Sequence, residues 1–324
     1  MPDTAASPVI VARGLTRVFK TREKQIEAVA GIDLEVMPHE IVGFLGPNGA
    51  GKTTTLRMLC TLLRPTGGTA TVAGCDLLTD PVGVRRRIGY VAQSGSTYPD
   101  AIAGEEIVDH ARMYGIDKST ARSRGEKLMA QFDLADTWTR KCSSLSGGQR
   151  RRLDIVMGLI HQPGLVFLDE PSTGLDPQSR ANLWLHVRKL RDELGTTVFL
   201  TTHYMDEADS LCDRILVIDH GRIVAEGTPK QLKKRVRGDL ITLTMRDAPE
   251  AGRAAAHGAK LKGADTPQTD GNIVRLHVPE GASALPALMR TLNDDSLDAV
   301  GVEVASPTLD DVFLTLTGRT LRDN

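Results

Sequence analysis

The 324-residue chain contains no run of more than four consecutive apolar residues, far short of the roughly 20 that a bilayer-spanning helix requires. No membrane-crossing helix is expected. The start, Met1 to Pro8, is small and polar and has no basic end followed by an apolar stretch, so a secretory signal is not expected either. Cysteine is scarce. Cys60, Cys75, Cys142 and Cys212 lie far apart and form no CxxC pair, which excludes a zinc ribbon or a redox dithiol. They read as reduced, buried small hydrophobes in a cytosolic protein. An excess of either charge is also missing: 40 basic against 41 acidic side chains leave a net charge of −1, unlike the basic excess of a dedicated nucleic-acid binder. The basic runs Arg85–Arg87, Arg150–Arg152 and Lys233–Arg237 therefore read as solvated helix faces.

What is present is an ordinary globular composition, 40% hydrophobic and 25% charged, in a chain long enough for two domains. The first two-thirds alternates strand-like and helix-like segments. Val9–Ala12, Ile32–Val36, Glu40–Leu45, Ile88–Ala92, Leu165–Leu168, Thr197–Leu200 and Ile215–Ile218 read as strands. Helical segments are expected from about Lys52, through Arg112–Tyr114 and Ala121–Phe132, and from Asp176-Pro177 to about Leu194, with Gly195 as the stop. Apolar strands separated by helices indicate a parallel sheet covered on both faces, with the earliest strands forming a separate antiparallel layer. His220-Gly221 reads as a hairpin turn, followed by a short basic helix from Lys230 to Arg237. Beyond Gly238 the strands Ile241–Met245, Asn272–Val278 and Val300–Val304 alternate with the helices Pro249–Ala256, Ala284–Leu292 and Leu309–Leu316. That order predicts a small α+β domain.

Three motifs carry chemistry. Gly46-Pro47-Asn48-Gly49-Ala50-Gly51-Lys52-Thr53-Thr54 satisfies GxxxxGK[ST] between a predicted strand and a predicted helix. Its glycines let backbone amides curl around phosphate oxygens at a helix N-terminus; Lys52 is expected to reach the β- and γ-phosphates, and the Thr53 hydroxyl to hold Mg²⁺. Leu165-Val166-Phe167-Leu168 runs into Asp169 at a strand's C-terminal end, where parallel sheets gather ligands; a P-loop enzyme needs such an acid for Mg²⁺. Glu170 next to it is a candidate to polarise an attacking water. Leu145-Ser146-Gly147-Gly148-Gln149 precedes Asp169 by about 20 residues, with Ser146 as a plausible N-cap. One triphosphate needs one cradle, and this second anion-binding helix start would close over the nucleotide of another copy.

Together these residues resemble the ATP-binding subunits of ABC transporters over about Val9 to Lys230. GPNGAGKTT is similar to the Walker A loop, LSGGQ to the signature motif and VFLDE to the Walker B strand with its catalytic glutamate. Ser172-Thr173-Gly174-Leu175-Asp176 resembles the D-loop, Gln93 the Q-loop glutamine, also a metal-side residue, and His203 the switch histidine. Phe19 falls where the family stacks an aromatic on adenine. The segments Thr202–Asp209 and Ile218–Pro229, with Leu309-Asp310-Asp311-Val312-Phe313-Leu314, look like the daunorubicin-resistance type of drug-export ATPase, although Gln149 is the general signature ending rather than the Met of many such proteins.

The resemblance implies an α/β fold: a P-loop ATPase core of ABC type with an antiparallel β subdomain and a helical subdomain at about 94–160. Residues 1–237 would form the ATP-binding domain and 238–324 a C-terminal α+β accessory or dimerisation domain. It implies ATP and Mg²⁺ as ligands, hydrolysis coupled to transport, and Glu170, His203 and Gln93 as the catalytic groups. Partners would be a permease of the ABC-2 type and a second copy or related subunit, with no nucleic acid, on the inner face of the cell membrane. Competing readings are an ABC ATPase of DNA repair or translation, disfavoured by the lack of a coiled-coil insertion or second ATPase domain, and a nucleotide-gated regulatory module, disfavoured by intact Glu170 and His203.

Overall fold

The computed structural model describes residues 7–20, 24–236 and 238–318. The elements run β1 (Ile10–Lys20), β2 (Gln25–Val36), β3 (Ile41–Leu45), α1 (Lys52–Leu59), β4 (Gly67–Val72), β5 (Cys75–Asp76), α2 (Pro81–Arg87), β6 (Ile88–Val91), α3 (Ala103–Met113), α4 (Lys118–Gln131), α5 (Gly147–Leu159), β7 (Leu165–Asp169), α6 (Pro177–Asp192), β8 (Thr197–Thr202), α7 (Met205–Leu211), β9 (Arg214–Asp219) and β10 (Arg222–Gly227). After the short α8 (Pro229–Lys233) come β11 (Asp239–Thr244), α9 (Ala248–Gly258), β12 (Gln268–Asp270), β13 (Ile273–Val278), α10 (Gly281–Asp294), β14 (Gly301–Ala305) and α11 (Leu309–Thr317). The chain divides into two compact units between Pro229 and Lys230.

In the first unit a six-stranded sheet has the order β10-β9-β3-β8-β7-β6. The five strands from β9 to β6 are parallel and β10 adds an antiparallel edge through the His220-Gly221 hairpin. β3, β7 and β8 are buried along their whole length, which is why they read as continuous apolar runs rather than alternating ones. Phe44, Phe167 and Phe199 fill this core, with Phe199 5.6 Å from each of the other two ring centres. The second sheet, β2-β1-β4-β5, is antiparallel. The fold is the expected α/β core with an antiparallel layer, and α3 to α5 supply a helical segment.

The second unit has its own sheet, β12-β13-β11-β14, antiparallel throughout. Ile241, Leu243, Val274 and Leu276 pack with Leu288 and Leu292 of α10 in a separate core.

Several expectations need correction. β1 and β2 are longer than their apolar cores because antiparallel pairing continues through exposed residues. β4, β5, α2, α7 and β12 had no clear periodicity in the sequence. α6 stops at Asp192, and Leu194 is exposed, not part of the buried face formed by Leu183, Val187 and Leu190. The basic helix is only Pro229–Lys233, and Arg237 lies outside the described residues. Arg151, read as part of a solvated run, is only 7% exposed; its N–H groups donate to backbone carbonyls instead of water. All four cysteines are free and buried. Among the described residues no helix is long and apolar enough to cross a membrane.

Candidate functional site

The site lies at the C-terminal ends of the parallel strands. β3 ends at Leu45 and the chain turns through Gly46–Gly51 into α1. Two of these glycines are sterically required. A Cβ on Gly46 would lie 2.3 Å from the Ile218 carbonyl oxygen, and one on Gly51, at φ 104°, would lie 2.4 Å from that of Ala28. Lys52, 5% exposed, folds back so that its Nζ donates to the carbonyls of Gly46 (2.8 Å) and Pro47 (3.0 Å) and pairs with Glu170 Oε1 at 3.3 Å. Burial pulls the Lys52 amine below its ordinary pKa, while the Glu170 and Asp169 charges pull it back up. Thr54 follows within the first turn of α1.

β7 brings Asp169 against this loop. Its Oδ1 accepts from Thr53 Oγ1 at 3.0 Å and from Thr201 Oγ1 at 2.7 Å. Its Oδ2 is buried without a hydrogen-bond partner. An orphaned carboxylate oxygen beside a hydroxyl is a hard-oxygen corner suited to a divalent cation that takes its remaining ligands from phosphate and water. Among the described residues no cluster of three His, Cys, Asp or Glu could hold a metal without such outside ligands.

Glu170 follows in the left-handed region, at φ 44°, an unusual backbone for a non-glycine residue that turns its side chain back into the site. Its amide donates to both the carbonyl and the hydroxyl of Thr201. Its Oε2 accepts from Gln93 Nε2 (3.1 Å) and Thr173 Oγ1 (3.1 Å) and lies 3.2 Å from His203 Nδ1. Burial pushes this carboxyl up, but the His203 hydrogen bond, the Lys52 charge and the Thr173 hydroxyl outweigh it and hold the pKa at about 2. Lys52, Thr53, Gln93, Asp169, Glu170 and His203, drawn from four separate stretches of chain, thus form one connected cluster.

Other sequence-marked residues stand apart from it. Ser146 caps α5 in a reciprocal box with Gln149: the Gln149 amide donates to Ser146 Oγ at 3.2 Å, and the Ser146 amide to Gln149 Oε1 at 3.0 Å. Gly147 and Gly148 open the helix, and a Cβ on Gly148 would meet Ser179 Oγ at 2.8 Å. Asp176 caps α6 by accepting from the Ser179 amide and hydroxyl. Among the described residues no hydrogen bond or ion pair ties Ser146–Gln149 or Asp176 to Lys52 or Asp169. Phe19 sits on β1 with the Arg17 guanidinium 4.6 Å above its ring centre, which occupies one face.

Sequence reasoning missed the groups that hold the cluster together. Arg151 donates to the carbonyls of Ala92 (2.5 Å), Asp169 (2.9 Å) and Pro171 (2.9 Å), bracing the segments on either side of Glu170. Three carbonyls on one guanidinium use its fixed fork of donors. Asp154, one turn later, accepts from the Ser96 amide at 2.9 Å. The signal available was the spacing: Arg151 and Asp154 lie one turn apart on a helix whose second half is otherwise apolar or glycine. Thr201 was legible as the residue paired with Asp169 across β7 and β8, but only once the strands were known to be neighbours.

The ABC transporter family model matches residues 29–173, and the model described as the DrrA1-3-like ATP-binding protein C-terminal domain matches residues 227–317. The chain is 43% identical to the daunorubicin resistance ATP-binding protein DrrA3 of Streptomyces coeruleorubidus, covering 90% of this chain and 92% of that one. It is 42% identical to the daunorubicin/doxorubicin resistance ATP-binding protein DrrA of Streptomyces peucetius, covering 99% and 96%. It is 34% identical to the linearmycin resistance ATP-binding protein LnrL of Bacillus subtilis (strain 168), covering 91% and 95%. Among solved structures, the dimeric bacterial ABC transporter cassette MJ0796 superposes with a TM-score of 0.62 at 26% identity, over 68% of this chain and 98% of that one.

Proposed function

The chain belongs to the ATP-binding subunits of ABC transporters and is an ATPase, and from that premise we propose that it drives export of a lipophilic drug-like compound through a separate permease of the ABC-2 type. The observation that carries the reading is the connected cluster of Lys52, Thr53, Gln93, Asp169, Glu170 and His203 at the strand ends. Similarity to daunorubicin-, doxorubicin- and linearmycin-resistance proteins over nearly the whole chain supports export and gives no support to a role in DNA repair or translation. With a permease partner, the subunit would sit on the inner face of the membrane.

In this reading the backbone N–H groups between Asn48 and Thr54, at the α1 N-terminus, bind the ATP phosphates, and Lys52 exchanges its two carbonyl partners for phosphate oxygens. Adenine stacks on the face of Phe19 not covered by Arg17. Thr53, Asp169 and Gln93 are the groups that would hold Mg²⁺, which supplies charge neutralisation to the phosphates. Ser146, Gly147, Gly148 and Gln149 of a second copy complete the site, with that copy's Asp176 loop alongside; the dimeric form of MJ0796 supports such pairing. Glu170, ionised at neutral pH, accepts the proton of the attacking water. His203 donates to the γ-phosphate as charge shifts. Gln93 links the site to the segment that follows it. Such chemistry asks for positioning and electrostatic stabilisation more than for covalent steps. Residues 238–324 form an accessory domain that helps hold two subunits together.

The test is efflux. Cells expressing the chain with its neighbouring permease should retain less daunorubicin than cells carrying Lys52→Ala. Equal retention at equal expression would overturn the export reading.

A further inference from the structure

We propose that Glu207 is a positioning residue, a buried anchor that ties the segment carrying His203 to the segment carrying Ser172 and Thr173, so that the two flanks of Glu170 keep one alignment. This rests on the roles given above to Glu170 and His203. Glu207 and Ser172 are both fully buried. The Glu207 Oε1 accepts a hydrogen bond from Ser172 Oγ and another from Trp184 Nε1 at 3.0 Å, and the same indole lies 3.1 Å from Ser172 Oγ. Its Oε2 is buried without a partner. Burial pushes this carboxyl up, against the pull of Ser172, Thr202 and Trp184.

A carboxyl group is an expensive way to fill an interior, since an apolar side chain of similar size would avoid the desolvation cost. Its position shows what it connects. Ser172 precedes Thr173, which donates to Glu170 Oε2, and His203, four residues before Glu207, lies 3.2 Å from the same oxygen. Glu170 Oε2 is therefore approached from both segments, and Glu207 joins those segments behind it. A second tie runs in parallel: the Arg180 guanidinium stacks 4.3 Å from the Tyr204 ring centre and pairs with Asp206 at 3.2 Å. Since Trp184 lies on α6, whose first turn is capped by Asp176, a shift of the 172–176 loop against a nucleotide would be transmitted to His203 through Glu207.

The experiment uses the full chain with Mg-ATP, measuring nucleotide affinity, thermal midpoint, KM and kcat. Glu207→Ala and Ser172→Ala should each lower kcat about tenfold, with nucleotide affinity and KM within about twofold. Glu207→Gln keeps an acceptor for Ser172 and Trp184 and should stay within about threefold of wild type. In a His203→Ala background, Glu207→Ala should add no further loss, as expected for groups acting through one another. Folded Glu207→Ala and Ser172→Ala with normal kcat would overturn the proposal, as would a Glu207→Gln as defective as the alanine variant. Should Glu207→Ala not fold, Ser172→Ala and Glu207→Gln decide alone. Independent losses in the double variant overturn the anchoring role, whereas normal turnover by His203→Ala would instead sink the role given to His203.

Discussion

Glu170 is where three demands meet: a strained backbone, a carboxyl held at about 2, and contacts to Lys52, Gln93, Thr173 and His203. Glu170→Gln keeps the shape and spares the phosphate-binding groups, so ATP affinity should hold while hydrolysis falls on the order of 10²–10⁴-fold. Wild-type turnover in that variant would remove Glu170 from the mechanism. The same contacts make a prediction about acid. The folded-state value lies below the ordinary 4.5, so between those limits the unfolded chain binds the extra proton. Stability from this group is fully present above about pH 4.5 and is lost as pH falls towards 2. Urea unfolding at pH 5 and pH 3 should therefore show wild type losing more stability than Glu170→Gln; an equal loss would mean that the pair with Lys52 and His203 is not formed in solution.

At the scale of elements, α5 has two tasks at opposite ends. Its first turn presents Ser146, Gly147 and Gly148 outwards, and its buried face fixes Asp169 and Ala92 through Arg151. Ser146→Arg fills the outward turn without touching the buried face, so ATP binding by the single subunit should be unchanged, while the ATP-driven dimer that accumulates with Glu170→Gln should disappear. Size-exclusion chromatography with and without ATP reads this directly, and a persisting dimer would refute the cross-subunit cradle. The element also shows how far the sequence could be read. The Gly-rich loop, the Asp169 strand end and the Ser146 cap each carry local chemistry in contiguous residues, so their helices and strands were legible. The link between Gln93 and Glu170 was not, because it depends on β6 lying beside β7. Arg151 was misread for a related reason: a charged triplet looks solvated unless the three carbonyls that receive it are known. β4, β5 and α2 are short and partly exposed, and their few apolar residues leave no period to detect.

At the scale of the molecule, two separate cores in one chain imply separable tasks. A chain ending near Arg237 should remain folded and bind ATP but dimerise less well, and loss of nucleotide binding on truncation would place the tail within the ATPase core. In the proposed export role, closure at the nucleotide must be felt by the separate permease. The segment after Gln93 is placed to do this. Gln93 touches Glu170, Arg151 holds the preceding Ala92 carbonyl, and Asp154 holds the Ser96 amide, so both ends of the turn follow the catalytic centre. Tyr98, two residues on, is 73% exposed, an aromatic free to act as an anchor in a partner's pocket. Tyr98→Ala should leave the ATPase of the isolated subunit unchanged but reduce co-purification with the permease from membranes by at least about tenfold, the range of a lost aromatic anchor. Gln93→Ala should instead retain the permease and lose the stimulation of hydrolysis that docking brings. If Tyr98→Ala co-purifies normally and stimulation by the permease survives both changes, the route from nucleotide to membrane does not pass through this turn.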